Sequence, residues 1–142
     1  MNVMILNDEV QMLRGVPLFS GMDAGKLKLL AFASDRVIYG TGQELFHQGD
    51  AGDAAYVILS GAVDIIMDSP AGETKIAEVG CRSVVGEIAI LCDRPRNSTV
   101  KAATPVEALR ISKDYFLKIL ASCPRTMAET MRILGERMAT TH

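Results

Sequence analysis

The spacing of apolar positions changes twice along this chain, from helical to alternating near Asp35 and back to helical near Ser112. In the first stretch, Val10, Met12 and Leu13 give residues 8–14 an apolar side, which predicts a short helix. Pro17-Leu18-Phe19 reads as an apolar latch. Asp23 is placed to cap a second helix, whose Leu27, Leu30 and Ala31 fall at i, i+3 and i+4.

After Asp35 the alternation predicts short strands at 36–39, 44–47, 55–59, 62–68, 74–79, 98–103 and 106–111. Turn chemistry separates them: Gly40-Thr41-Gly42, the cluster 48–53, Pro70-Ala71-Gly72, Gly80 and Thr104-Pro105. Ser60-Gly61 predicts a tight hairpin between the third and fourth candidates. Short strands at regular spacing indicate a sandwich or barrel. Beyond them, Ser112 can cap a helix over 112–120 that carries Tyr115, Phe116, Ile119 and Leu120. Pro124 suits the first turn of a last helix. Its Met127, Met131, Leu134 and Met138 are spaced four, three, four. That stripe serves either as a seam for a partner helix or as a face packed on its own domain.

A chain of 142 residues with 49% apolar residues fits one self-sufficient domain. The expected division is 1–34 for N-terminal helices, 35–111 for a β-barrel and 112–140 for two C-terminal helices. A net charge of −2 argues against a broad nucleic-acid-binding face. Cys81, Cys92 and Cys123 have no metal-ligand spacing and read as reduced thiols. No signal peptide and no apolar run of membrane-spanning length is visible, so the expected location is the cytoplasm, away from membranes. His47 and His142 have no carboxylate or histidine at ligand spacing, and no serine or cysteine has a paired base. Neither a metal nor catalysis is expected.

Residues 84–100 carry the candidate chemistry. Gly86 permits a backbone conformation closed to other residues and a close approach by a ligand. Glu87-Ile88-Ala89-Ile90-Leu91 can form one helical turn whose first N–H groups lack internal acceptors and attract an anion. Asp93-Arg94-Pro95 ends that turn. Arg96 then supplies a planar fork for two oxygens, followed by Asn97-Ser98-Thr99-Val100. One arginine suits a monoanionic phosphodiester, and the P-loop pattern is absent. Glu87 would repel such an anion unless it pairs with Arg96 or accepts a bond from a ribose hydroxyl.

The ordered set Gly86-Glu87-Ile88-Ala89, Arg96 and Asn97-Ser98-Thr99-Val100 resembles the phosphate-binding cassette of cyclic nucleotide-binding domains. That family includes the protein kinase A regulatory subunit, the catabolite activator protein and cyclic-nucleotide-gated channels. Pro17-Leu18-Phe19, Leu45-Phe46-His47-Gln48-Gly49-Asp50 and Ala55-Tyr56-Val57-Ile58-Leu59-Ser60-Gly61-Ala62-Val63 extend the likeness from about Val16 to Leu120. The resemblance implies an eight-stranded jelly-roll β-barrel with flanking helices. It implies that Arg96 and the N–H groups of Ile88 and Ala89 hold the phosphate, that Asn97 and Ser98 add hydrogen bonds, and that Glu87 meets the ribose. Val85 stands where the family often has an aromatic residue. Ile65 and Ile76 are candidates for the base and sugar face, or plain core. Asn97 departs from the common Ala, Ser or Thr and carries an acceptor that could meet guanine's amine.

The implied protein is a non-catalytic cytoplasmic sensor with no cofactor, binding cAMP in preference to cGMP and passing the signal through its C-terminal helices to a protein effector. A homodimer through the last helix is the further expectation. The alternatives are an interaction module of the same fold that no longer depends on ligand, or the sensor fragment of a transcription regulator or channel. No helix-turn-helix segment is visible, so this chain alone is not expected to read DNA.

Overall fold

A computed structural model describes residues 3–141, with side chains described for 9–132 and 134–136. The elements in order are α1 (Val3–Arg14), a 3-10 turn (Pro17–Phe19), α2 (Ala24–Ala33), β1 (Asp35–Tyr39), β2 (Glu44–Phe46), β3 (Ala54–Ser60), β4 (Val63–Ser69), β5 (Gly72–Val79), β6 (Val84–Val85), α3 (Glu87–Leu91), β7 (Thr99–Ala102), β8 (Val106–Ser112), α4 (Lys113–Ser122) and α5 (Pro124–Thr141). The fold is mainly β: an eight-stranded jelly-roll barrel with helices before and after it in the chain. The chain divides into a β unit, Ser34–Lys113, and a helical unit from the residues up to Ala33 and from Asp114 onward.

In the β unit two four-stranded antiparallel sheets have the orders β1-β8-β3-β6 and β2-β7-β4-β5. The predicted hairpin at Ser60-Gly61 does not form. β3 and β4 lie in different sheets, and Gly61 turns a corner between them. The corner between β7 and β8 lies against it: Ala103 N–H donates to Ala62 O at 2.9 Å, and Ala62 N–H to Thr104 Oγ1 at 3.0 Å. The antiparallel pair β3–β8 therefore continues across both corners into the pair β4–β7. Gly61 has φ +88°, and a Cβ there would lie 2.2 Å from the Pro105 carbonyl oxygen, so glycine is required. Local turn chemistry looks the same whether a turn closes a hairpin or redirects a ribbon, which is why the pattern misled.

The inward side chains include Leu45, Ala54, Tyr56, Ile58, Val63, Val85, Val100, Ala102, Val106 and Ala108. Removing this apolar surface from water supplies the main stabilisation of the unit. β6 is the one strand missing from the seven read by alternation, because two residues carry no period. It still pairs with β3, Val85 opposite Tyr56, and so carries the chain from the sheet directly into α3.

In the helical unit the predicted Asp23 cap and the apolar face of α2 are present. Asp23 Oδ1 accepts from Lys26 N–H at 2.9 Å, and Leu27, Leu30 and Ala31 are buried. α1 is longer than its predicted 8–14 stretch. Ser112 ends β8 immediately before α4. On α5 the buried positions include Thr126 and Thr130, while Met127 and Met131 are exposed. Met127 and Met131 are thus not on the face of α5 packed in the helical unit; Leu134 is half-buried, and Met138 lies outside the residues whose side chains are described. Close approach favours the small side chains: α5 packs on the 3-10 turn, and a Cβ on nearby Gly21 would meet Arg125 Cβ at 2.7 Å. Thr130 Oγ1 also donates to Thr126 O at 2.7 Å, which satisfies its buried hydroxyl within the helix.

Candidate functional site

The site begins where β6 ends. Gly86 adopts φ 87°, ψ 0° and caps α3, reversing the chain in a left-handed conformation. A Cβ there would meet Arg96 Nη1 at 2.6 Å, Phe46 Cε2 at 3.1 Å and Ala54 O at 3.2 Å. Glycine is therefore demanded twice, by backbone and by space. Next, α3 buries Glu87, Ala89 and Ile90 and leaves Ile88 half-buried. As in any helix, its first N–H groups have no intrahelical acceptor. Its far end is closed by Cys92 N–H to Ile88 O at 2.9 Å and Arg94 N–H to Ala89 O at 3.0 Å.

Arg96 is held by backbone and side chain together. Its N–H donates to Asp50 O, and its carbonyl accepts from Gly49 N–H, both at 2.8 Å. Nη1 donates to Gly86 O and Nη2 to Ala54 O, both at 2.6 Å. The guanidinium carbon lies 4.0 Å from the centroid of the Phe46 ring. Cation–π contact of this kind is worth about 0.5–2 kcal/mol, more when desolvated. Only 3% of Arg96 is exposed. Burial lowers its pKa, against upward pulls from Tyr56, Asp53 and Asp50. An arginine stays charged even so, because its reference pKa is so high. Neutral carbonyls and a ring satisfy donors without cancelling the charge, and Nε is buried with no hydrogen-bond acceptor among the described residues. A buried cation in this state favours an anion beside it.

One carboxylate does approach. Asp53 Oδ1 lies 3.5 Å from Arg96 Nη2, and Asp53 Oδ2 accepts from Arg110 Nη2 at 3.2 Å. Burial lowers the Arg110 pKa, but Tyr56, then Asp53 and Asp35, outweigh it and the net shift is upward. Tyr39, in the same β unit, is pushed up to about 12 by burial, and then by Tyr56.

The structure brings Val85, Gly86, Glu87, Ile88, Ala89 and Arg96 into one continuous corner of the β unit. Val85 is buried in the core, and Glu87 is only 5% exposed. Ser98 is buried, and its hydroxyl lies 3.4 Å from Oδ1 of the exposed Asn97. Ile65 is half-buried on β4 against the core. Ile76 is 44% exposed and falls at the β4–β5 bulge, where Ile65 faces Ala77 and Ile66 faces Lys75. It is therefore not plain core. Sequence reasoning missed Phe46, Ala54, Gly52 and Asp53 as parts of the site. Gly52 packs on α3, since a Cβ there would lie 2.6 Å from Ala89 Cβ. The two glycines of 49–53 carried a signal of close backbone approach that also fits an ordinary turn.

No group of three or more His, Cys, Asp or Glu among the described residues could hold a metal ion. No helix among them is long and apolar enough to cross a membrane.

The chain is similar to known proteins over this same region. It is 30% identical to the cAMP-dependent protein kinase regulatory subunit of Emericella nidulans over 118 residues, 83% of this chain and 28% of that protein. It is 28% identical to the CRP-like cAMP-activated global transcriptional regulator of Mycobacterium tuberculosis over 136 residues, 95% of this chain and 60% of that protein. It thus spans from about a quarter to three-fifths of the length of these relatives. Among solved structures, the sensor domain of the transcriptional regulator DNR from Pseudomonas aeruginosa superposes with a TM-score of 0.85 at 26% identity, covering 94% of this chain and 91% of that one. The family profile described as the cyclic nucleotide-binding domain matches residues 36–123, a span that includes every strand except the start of β1 and the whole cassette. The chain belongs to the cyclic nucleotide-binding domain family.

Proposed function

We propose that this chain is a non-catalytic sensor that binds a cyclic nucleotide in the corner formed by β6, α3 and Arg96. One observation carries the reading: a charged guanidinium, buried beside a glycine-capped helix start, with one N–H lacking an acceptor among the described residues. A cyclic phosphodiester bears one negative charge and two free oxygens, which matches one guanidinium plus first-turn amides. Glu87 follows Gly86 directly and is proposed to accept from the ribose hydroxyl. Asn97 and Ser98 are proposed to border the phosphate, and Ile65 and Ile76 the sugar and base.

We assign cAMP as the preferred ligand over cGMP. The names of two relatives support this, since a cAMP-dependent kinase subunit and a cAMP-activated regulator both resemble the chain. The output is proposed to run through the C-terminal helices, because β8 continues without a break into α4, and α5 follows after Cys123. A ligand moves such an element only by its differential affinity for two states. The site would serve as the sensing module of one domain, at work in the cytoplasm beside a protein effector.

Titration calorimetry of wild type and Arg96→Ala with cAMP and cGMP tests the reading. The expected result is tighter binding of cAMP and loss of binding in the variant. Undiminished binding by Arg96→Ala would reject the clamp, and tighter cGMP binding would reject the preference. No binding by wild type would favour a protein-interaction module on the same fold.

A further inference from the structure

Asp53 stands between two arginines of different standing. Arg96 is almost wholly buried, whereas the Arg110 side chain is about a third exposed and Asp53 is 67% exposed. The carboxylate lies 3.5 Å from Arg96 Nη2 and 3.2 Å from Arg110 Nη2, so it is shared, with the closer contact to Arg110. Its backbone is fixed on the same segment. Asp53 O accepts from Lys113 N–H at 2.9 Å, Asp50 O accepts from Arg96 N–H, and Gly52 abuts α3. Side-chain rotation is the freedom left to Asp53. Other charges near the pair are Asp50, which acts on Arg96, and Asp35, which acts on Arg110.

We propose that Asp53 is a built-in counter-anion that competes with the nucleotide phosphate for Arg96, and that Arg110 sets the affinity of the site by drawing Asp53 away. This rests on the reading of Arg96 as the phosphate clamp. A fixed negative charge 3.5 Å from the clamp opposes a second anion there. Arg110 neutralises part of that charge and holds the carboxylate at a second donor. Asp53 and Arg110 are thus positioning residues for affinity, 57 positions apart in the chain. Neither need touch the nucleotide.

The test is calorimetric titration of wild type, Asp53→Asn, Arg110→Gln and the double variant with cAMP and cGMP, at low and high salt. Exposed pairs carry modest energy, so Asp53→Asn is expected to tighten binding about two- to fivefold and Arg110→Gln to weaken it by a similar factor. The double variant should bind like Asp53→Asn. Both shifts should shrink at high salt, which a merely structural effect would not do. Arg110→Lys keeps the charge and should stay near wild type; it and Asp53→Asn decide the matter if Arg110→Gln does not fold. Equal or weaker binding by Asp53→Asn overturns the inference, as does wild-type affinity in Arg110→Gln. If wild type binds neither nucleotide, the clamp reading fails as stated; the inference then stands only if Asp53→Asn gains binding, and falls if it does not.

Discussion

Arg96 Nη1 donates a 2.6 Å hydrogen bond to the carbonyl oxygen of Gly86, ten residues earlier, and lies only 2.6 Å from where a Cβ on that glycine would be. The cation and the helix cap therefore form one unit. Replacing Gly86 by alanine forces a left-handed conformation on an L-residue and drives a methyl into the guanidinium. Such strain costs about 1–3 kcal/mol. Urea denaturation of Gly86→Ala should show a loss of that size, with nucleotide binding lost as well. A stability change within about 0.5 kcal/mol, the range of ordinary surface substitutions, would show that the cap and the arginine are independent.

Much of this was legible in the sequence, for identifiable reasons. Gly86 and Pro95 are strong punctuation that frames a turn, and the ordered set from Gly86 to Val100, with Arg96 in it, resembles the family's cassette. The longer strands carry several periods of alternation and match their expected bounds within one residue, except that β5 starts two residues earlier, at Gly72. β6 has no period to read, and its two valines belong to the cassette as much as to a sheet. The corner at Gly61 was misread because pairing partners are set by the whole barrel and not by the turn. Asp53 and Arg110 meet from distant parts of the chain, and no local pattern links them. On α5, hydrophobicity favoured the methionines, while the helix, which packs on the 3-10 turn, buries Thr126 and Thr130.

Gly52 and Ala89 offer a second test of how the cassette is positioned. A methyl at Gly52 would lie 2.6 Å from Ala89 Cβ, too close for either to remain in place. Overpacking of this kind typically costs about 1–3 kcal/mol. Gly52→Ala should therefore destabilise the protein and weaken nucleotide binding by displacing α3. Ala89→Gly removes the main obstacle, leaving the Ala89 backbone carbon and oxygen at 3.1 and 3.3 Å. On its own it should cost about 1 kcal/mol of helix propensity. The double variant should be less destabilised than the two losses summed, by at least about 0.5 kcal/mol. Simple additivity in a thermal or urea cycle would mean that the loop does not set the helix.

Tyr39 provides a reading that needs no ligand. Burial, and then Tyr56, push its phenol from 10.0 up to about 12, so the folded state holds this proton more tightly than the unfolded state. The unfolded chain releases it first, near the ordinary value. The resulting stabilisation is complete below pH 10 and disappears as pH rises towards 12. Near-ultraviolet absorbance titration should show one tyrosine ionising near 12 in the wild type and missing in Tyr39→Phe. The variant should also lose less stability across that window. An absorbance curve unchanged by the substitution would place the late proton elsewhere.

The exposed methionines of α5 bear on assembly. Thr126 and Thr130 occupy the buried side, leaving Met127 outside and Met131 59% exposed. A helix that buries its polar threonines and presents thioethers to water has an apolar stripe still available to another surface. Identical stripes on two copies can meet about a two-fold axis, each methionine facing its counterpart or a neighbour. The stripe covers about two heptads, so self-association is expected to be weak and to depend on concentration. Light scattering over a wide concentration range should show the apparent mass rising in the wild type and staying flat in Met131→Glu. Met131→Leu keeps the apolar surface and should behave as wild type. A constant monomer mass in the wild type at high concentration would remove α5 as a dimer seam and leave its stripe to a different protein.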